Sequence, residues 1–163
     1  MNLRLSPRTL LAAAGLACAA SVGLALLAQH QFHMQPCPWC ILQRLIFIVL
    51  AGLCLLGSAL PAALLRRLLA AIALPFAAGG MAAALWQHFV AAKTSSCAMT
   101  LADRIVMASG LDVRFPEWFE VRATCADAAV SVFGVPFEFW SLALFAAVGL
   151  VLVLNVLNPA RRA

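Results

Sequence analysis

The chain has 163 residues, of which 65% are hydrophobic and only 10% are charged. Soluble globular domains carry about 25% charged residues, so the composition excludes that class and indicates an integral membrane protein. The formal net charge of +5 does not point to nucleic acid. Its basic residues cluster at the ends of apolar stretches, where such residues orient a membrane protein.

Four apolar stretches predict four membrane-spanning helices, because each has close to the roughly 20 residues that a span needs. They cover about residues 9–28, 41–60, 68–90 and 139–157. We therefore predict an all-α integral membrane protein in which residues 1–163 form a single four-transmembrane-helix bundle. A cleavable signal peptide is the alternative for the first stretch, but the apolar run continues well past the small residues around Cys18.

The charge distribution predicts the orientation of these spans. Six of the eleven Lys and Arg residues fall on the side of the two termini: Arg4, Arg8, Arg66, Arg67, Arg161 and Arg162. The positive-inside rule makes this side cytoplasmic. The six acidic residues lie in or at the edge of the long connection after the third span. We therefore expect the connections at about 29–40 and 91–138 to face outward.

The long outer connection contains signals for two short helices. Thr100, followed three residues later by Asp103, predicts a helix N-terminus, and Gly110 predicts its end. Pro116 opens a second short element, the segment 116–120, whose aromatic residues suit the headgroup layer. These helices would keep the connection close to the membrane surface.

A CxxC motif, Cys37-Pro38-Trp39-Cys40, lies where a polar segment gives way to the second apolar stretch. Pro38 suits a first helical turn, so Cys40 lies at a helix start, where unpaired backbone N–H groups favour a thiolate. Arg44 follows one turn later on the same helical face. The motif therefore predicts a small redox site with a fixed positive charge beside it.

The other cysteines divide by depth. Cys97 and Cys125 fall on the same outer face as the CxxC motif, where an oxidising compartment lets disulfides persist. Cys18 and Cys54 fall inside spans. Since Cys54 is fourteen residues beyond Cys40, a helix would place it roughly 21 Å deeper, so we interpret both as small apolar fillers.

A lone CxxC motif is a weak signal, and two alternatives stay open. A metal site could use ligands drawn from Cys37, Cys40, His30, His33 and Met34, although we predict no metal. Cys97 and Cys125 could instead form a purely structural disulfide, worth roughly 3 to 4 kcal/mol for a loop of about thirty residues. Haem attachment is excluded because Ile41, not His, follows the motif.

Two dithiol pairs on one face indicate a relay, because thiol–disulfide exchange requires direct contact between sulfurs. One pair would meet a protein partner, and the other must pass the electrons on. The sequence has no Gly-rich dinucleotide fingerprint and no haem motif. A lipid-soluble quinone is the simplest acceptor, and Arg44 could hydrogen-bond one of its carbonyl oxygens.

These features together resemble the DsbB family of bacterial inner-membrane disulfide-forming proteins. The resemblance covers nearly the whole chain and rests on the outward CPWC motif, Arg44, His88, the pair Cys97 and Cys125, and the segment Arg114-Phe115-Pro116-Glu117-Trp118. A vitamin K epoxide reductase-like protein is the nearest rival, but the cysteine order and the loop motif favour DsbB. Gln43 departs from the acid that relatives may carry, and we expect it to leave the sulfur chemistry untouched.

The resemblance implies a mechanism. Cys97 and Cys125 would oxidise a periplasmic DsbA-like thioredoxin-fold partner, with Cys97 forming the mixed disulfide. Electrons would then pass to Cys37 and Cys40, and from Cys40 to ubiquinone or menaquinone near Arg44. His88 would be a quinone neighbour, the alternative being an ordinary interfacial histidine. The protein would lie in the bacterial inner membrane with its active cysteines facing the periplasm.

Overall fold

Four long helices form the body of the protein, as the four apolar stretches predict. The computed structural model describes residues 6–93 and 99–157. The long helices are α1 (Pro7–Gln31), α2 (Pro38–Ala59), α3 (Ala63–Phe89) and α7 (Phe137–Leu157). Each is long and apolar enough to cross a membrane. The chain is thus a four-helix, multi-pass membrane protein.

The helices pack in a ring in which α1 contacts α2, α2 contacts α3, α3 contacts α7, and α7 returns to α1. Small residues make the close approach of α3 possible, because its buried positions are Ala70, Ala73, Ala77, Gly80, Ala83, Ala84 and Gln87. Gly80 lies directly against the ring of Phe145. That ring stacks on Phe47 with centroids 4.0 Å apart, which ties α2, α3 and α7 together.

One end of the bundle holds Arg8, Arg66 and Arg67, three of the six basic residues predicted on the side of the termini. The Arg8 guanidinium donates to the carbonyl oxygen of Leu60 at 3.3 Å, so the start of α1 lies beside the turn between α2 and α3. Arg66 and Arg67 lie in the first turns of α3. The predicted span began at about residue 68, after this arginine pair, whereas the helix already begins at Ala63. Arg4, Arg161 and Arg162 lie outside the described residues.

The long outer connection forms three short helices and a hairpin. The helices are α4 (Leu101–Ser109), α5 (Leu111–Arg114) and α6 (Pro116–Phe119). Thr100 caps α4 through a capping box with Asp103, and Gly110 ends it with φ +64°. Both predicted short elements are therefore confirmed.

The hairpin, by contrast, was not predicted. Strands β1 (Ser131–Val132) and β2 (Val135–Pro136) pair antiparallel around a turn of two residues, Phe133 and Gly134. Both have positive φ values, 54° and 77°, as a tight hairpin turn of this hand requires. A phenylalanine in that conformation carries no sequence signal, because asparagine or aspartate is the usual residue there.

Candidate active site

The CxxC motif forms the first turn of α2. Cys37 is the N-cap residue, and its sulfur accepts a hydrogen bond from the Cys40 backbone N–H at 3.4 Å. Pro38 occupies the first helical position, where its missing N–H costs nothing. The Cys37 and Cys40 sulfurs lie 2.8 Å apart as free thiols. The helix therefore begins three residues before the predicted span, and its N-terminal N–H groups point at sulfur.

Cys125 reaches this turn from the far side of the outer connection. The Arg122 backbone N–H donates to the carbonyl oxygen of Pro36 at 3.1 Å, which ties the two segments together. The Cys125 side chain then packs in one buried cluster with Cys37 and Trp39, close enough for the Cys37 thiol and the Trp39 backbone N–H to affect the acidity of its sulfur. Cys37 is completely buried between Cys40 and Cys125. Cys37 and Cys125, which are nearly ninety residues apart in the sequence, are thus brought together.

The two sulfurs outside the spans differ in acidity. The nearby Cys125 and Cys40 sulfurs, together with burial, raise the pKa of Cys37. The neighbouring Cys37 thiol lowers the pKa of Cys125, against the opposing effect of burial. Cys37 therefore holds its proton while Cys125 is the more readily ionised partner.

Cys40 faces a carboxamide from the neighbouring helix α3, and that carboxamide is bonded to a second one on α2. The Gln87 Nε2 donates to the Cys40 sulfur at 3.3 Å, and the Gln43 Nε2 donates to the Gln87 Oε1 at 2.7 Å. Both glutamines are 4% exposed. Gln43 is therefore one hydrogen bond away from the group that contacts the Cys40 sulfur.

Arg44 lies on the same face as Cys40, as its spacing predicts, and the tertiary structure holds it there. Its Nη1 donates to Gln29 Oε1 at 3.1 Å and to the carbonyl oxygen of Trp118. Gln29 in turn donates to the carbonyl oxygen of Glu117 at 3.1 Å. The end of α1, α2 and the short helix α6 are thereby fastened around one buried cation.

A cavity of about 730 Å³ opens beside Cys40 and Arg44. Its walls are mainly apolar side chains of α1, α2, α7 and the hairpin segment. The polar groups that line it converge at one end: Gln35, Cys40, Gln43, Arg44, Gln87, Glu138 and Ser141, with Ser21 further along α1. The buried Nε of Arg44 has no hydrogen-bond partner within the described residues. A ligand with a carbonyl oxygen and an apolar body would fit this space, since Arg44 and a few other polar residues line a mainly apolar chamber.

His88 lies at the outer end of α3, next in sequence to Gln87, but it does not line this cavity. Its Nδ1 is 2.6 Å from the Glu138 Oε1, and its ring lies in a smaller pocket on the outer side. Glu138 lines both spaces. Gln87, and not His88, therefore lines the cavity beside Cys40.

Cys97, the fourth cysteine of the predicted relay, lies outside the described residues. Within residues 6–93 and 99–157, no group of three or more His, Cys, Asp or Glu side chains is arranged to hold a metal ion.

The sequence interpretation missed four buried polar residues of this site, namely Gln29, Gln43, Gln87 and Glu138. A signal was present, because each lies within or at the edge of an apolar stretch. Polar residues inside a membrane are costly and are usually retained for function. What the sequence could not supply was the set of partners that each residue meets.

The family model described as "Disulfide bond formation protein DsbB" matches residues 7–155 of the chain. The chain belongs to the DsbB family. The relative named Disulfide bond formation protein B from Verminephrobacter eiseniae is 32% identical over 161 residues, covering 97% of this chain and 90% of the relative. The relative of the same name from Stutzerimonas stutzeri is 30% identical over 157 residues, covering 94% and 96%. No solved structure matches.

Membership of the DsbB family agrees with the resemblance drawn from the CPWC motif and the outer loop. It makes the chain a disulfide-forming membrane oxidoreductase. A relative from Pseudomonas syringae, Disulfide bond formation protein B 1, aligns at 29% identity over 91% of this chain and 88% of its own length. The alignments therefore span the bundle and the outer connection together.

Proposed function

We propose that this protein is a quinone-dependent thiol oxidase that reoxidises a periplasmic DsbA-like dithiol protein. One observation carries the proposal. Cys37 lies in contact with both Cys40 and Cys125, and Cys40 opens onto the apolar cavity that also holds Arg44. Sulfur contact is what thiol–disulfide exchange requires, and the cavity gives the last sulfur access to a small apolar acceptor.

The first exchanges occur between sulfurs. A thiolate of the partner attacks the Cys97–Cys125 disulfide at Cys97, forming a mixed disulfide and releasing Cys125. The partner's second thiolate then displaces Cys97, so the partner leaves as a disulfide and two electrons remain on Cys97 and Cys125. The lowered pKa of Cys125 supports its role as the next nucleophile.

The electrons then move inward. Cys125 attacks the Cys37–Cys40 disulfide at Cys37, the sulfur that it contacts, and Cys40 is released as the leaving thiolate. Cys97 next attacks Cys125, which restores the Cys97–Cys125 disulfide and frees Cys37. Each exchange forms one S–S bond and breaks one, so the electron pair ends on Cys37 and Cys40 with no external oxidant used.

Ubiquinone or menaquinone fits the cavity beside Cys40. The Arg44 guanidinium, which lines the cavity, would donate to a quinone carbonyl oxygen, while the apolar walls would hold the ring and the start of the isoprenoid tail. When bound, a quinone accepts two electrons and two protons and so regenerates the Cys37–Cys40 disulfide. Arg44 is fixed in advance by Gln29 and Trp118, which lets it stabilise negative charge without reorganisation. His88, held behind Glu138, would be a neighbour of this chamber and not part of its wall.

The membrane setting is part of the same proposal. Arg8 and the turn before α3 lie at one end of the bundle, while the cysteine site lies at the other. By the positive-inside rule the basic end is cytoplasmic, which directs the cysteines to the periplasm across the bacterial inner membrane.

Quinone dependence is the direct test. Purified protein is stripped of quinone in detergent, mixed with a reduced thioredoxin-fold dithiol partner, and then supplied with ubiquinone or menaquinone. We expect the partner's disulfide to appear only after quinone is added, with one quinol formed per disulfide. Turnover at an undiminished rate in the quinone-free protein would overturn the proposal.

A further inference from the structure

The Cys40 sulfur has a hydrogen-bond donor that the sulfur relay does not require. Gln87, on α3, directs its Nε2 at this sulfur from 3.3 Å. Gln87 is 4% exposed, so water does not compete for the contact. A hydrogen bond from a neutral amide to a thiolate favours the charged form without introducing a second charge.

The direction of the Gln87 amide is set by another residue. A carboxamide can face a sulfur with either its nitrogen or its oxygen, and only the nitrogen donates. Gln43 donates its Nε2 to the Gln87 Oε1 at 2.7 Å, which leaves the Gln87 nitrogen on the Cys40 side. Both amides are buried, where a hydrogen bond is stronger than in water and a misplaced polar group costs more.

We propose that Gln43 and Gln87 form an amide relay that holds the Cys40 sulfur in its thiolate form, with Gln87 as the contacting residue and Gln43 as a positioning residue. The inference rests on the proposed function only in taking Cys40 as the sulfur that meets the acceptor. An ionised carboxylate in place of either amide could not donate to the relay and would repel the thiolate.

Several other charged or titratable groups face Cys40, and the test must separate the relay from them. Arg44 acts on this sulfur from one turn along α2, and Cys37 and Cys125 lie on its outer side. Glu138, paired with His88, lines the same cavity from α7. These groups are unchanged in the variants below, so a shift between variants reports the amides alone.

The experiment is the pH profile of Cys40 alkylation in the fully reduced, quinone-free protein, followed by mass spectrometry of the modified peptide. Gln87→Met keeps the length of the side chain but removes its donor. We expect the midpoint of the profile to move up by about one pH unit, which is about a tenfold loss of thiolate at a given pH. Gln43→Met leaves the Gln87 donor in place but frees its orientation, so we expect a smaller upward shift.

The double variant Gln87→Met/Gln43→Met distinguishes a relay from two independent packing effects. If Gln43 acts only through Gln87, the double variant has the midpoint of Gln87→Met alone, whereas independent effects would add. Asn155→Leu is the matched control, because Asn155 is also a buried amide, 3% exposed, but lies near the other end of α7. It should leave the midpoint unchanged.

An unchanged midpoint in both Gln87→Met and Gln43→Met, or strictly additive shifts, would overturn the relay. The readout contains no quinone, so its outcome is independent of the proposed function. Normal quinone turnover with an unmoved midpoint would reject the relay alone. A shifted midpoint in a protein that never reduces quinone would reject the thiol oxidase proposal and leave the relay standing.

Discussion

Two groups of cysteines in this chain have the same side chain and opposite surroundings. Cys18 and Cys54 are 0% and 1% exposed and lie in the apolar core shared by α1, α2, α3 and α7. Cys37 is equally buried, yet its sulfur lies beside the Cys40 and Cys125 sulfurs. Cys40 lies in the first turn of α2, beside the Gln87 amide and the Arg44 cation. Burial alone therefore does not separate an inert cysteine from a reactive one.

The two groups differ in the residues that surround each sulfur. In the middle of the bundle Cys18 and Cys54 lie near each other among apolar side chains, which can solvate neither a thiolate nor a leaving group. At the outer end the start of α2, Gln87 and Arg44 supply donors and charge. The structure thus supports the prediction that Cys18 and Cys54 are fillers, since both pack among apolar side chains.

The largest expected difference is between two variants, each of which replaces one cysteine of one group. Cys37→Ser removes the atom that links Cys125 to Cys40, so we expect quinone-coupled oxidation of the partner to be abolished in a turnover assay. Cys54→Ala removes a sulfur from the core and should retain the turnover of the unmodified protein. Equal activity of the two variants would contradict the division between the groups.

Arg44→Met tests the charge that distinguishes the outer environment. The lost donor should slow quinone-dependent turnover by about 100- to 1000-fold, the usual cost of removing a preorganised donor. Exchange between the partner and the outer cysteine pair should persist, and acid trapping of the mixed disulfide would measure it. Arg122→Met is the control, because its ion pair with Glu120 is solvent-exposed and contributes little.

The pH dependence of alkylation should also order the outer sulfurs. The pKa of Cys125 is lowered and that of Cys37 is raised, so at a pH below about 8.5 Cys125 should react with iodoacetamide faster than Cys37. Cys37→Ala deletes the donor and should move the Cys125 profile to higher pH. Cys37→Ser keeps a donor and should move it less; the reverse order would disprove the assigned cause.

The smallest expected effect concerns packing in the bundle. A methyl group at Gly80 would overlap the Phe145 ring, whereas the adjacent Gly79 has open space at the same position. We expect Gly80→Ala to cost about 1 to 3 kcal/mol of stability through overpacking and Gly79→Ala to cost nothing. Thermal unfolding in detergent measures both, and neither variant should alter the pH profile of Cys40.

Much of the fold could be predicted because it follows from local rules. Runs of about 20 apolar residues cannot remain in water, and a helix is the simplest way to satisfy their backbone in lipid. The capping pair Thr100 and Asp103 and the turn opened by Pro116 were readable for the same reason, since each acts within three or four residues. The hairpin at Phe133 was not, because its turn residue contradicts the local preference.

The sequence by itself determined the four spans and the position of Arg44 one turn after Cys40, both of which depend on composition and short spacing. Only the tertiary structure decided that Cys37 lies between Cys40 and Cys125, that Gln87 and not His88 meets the Cys40 sulfur, and that Gln29 holds Arg44. These contacts bring together residues from different helices and from the long connection. The partners depend on how these elements pack, which no pattern along one helix can specify.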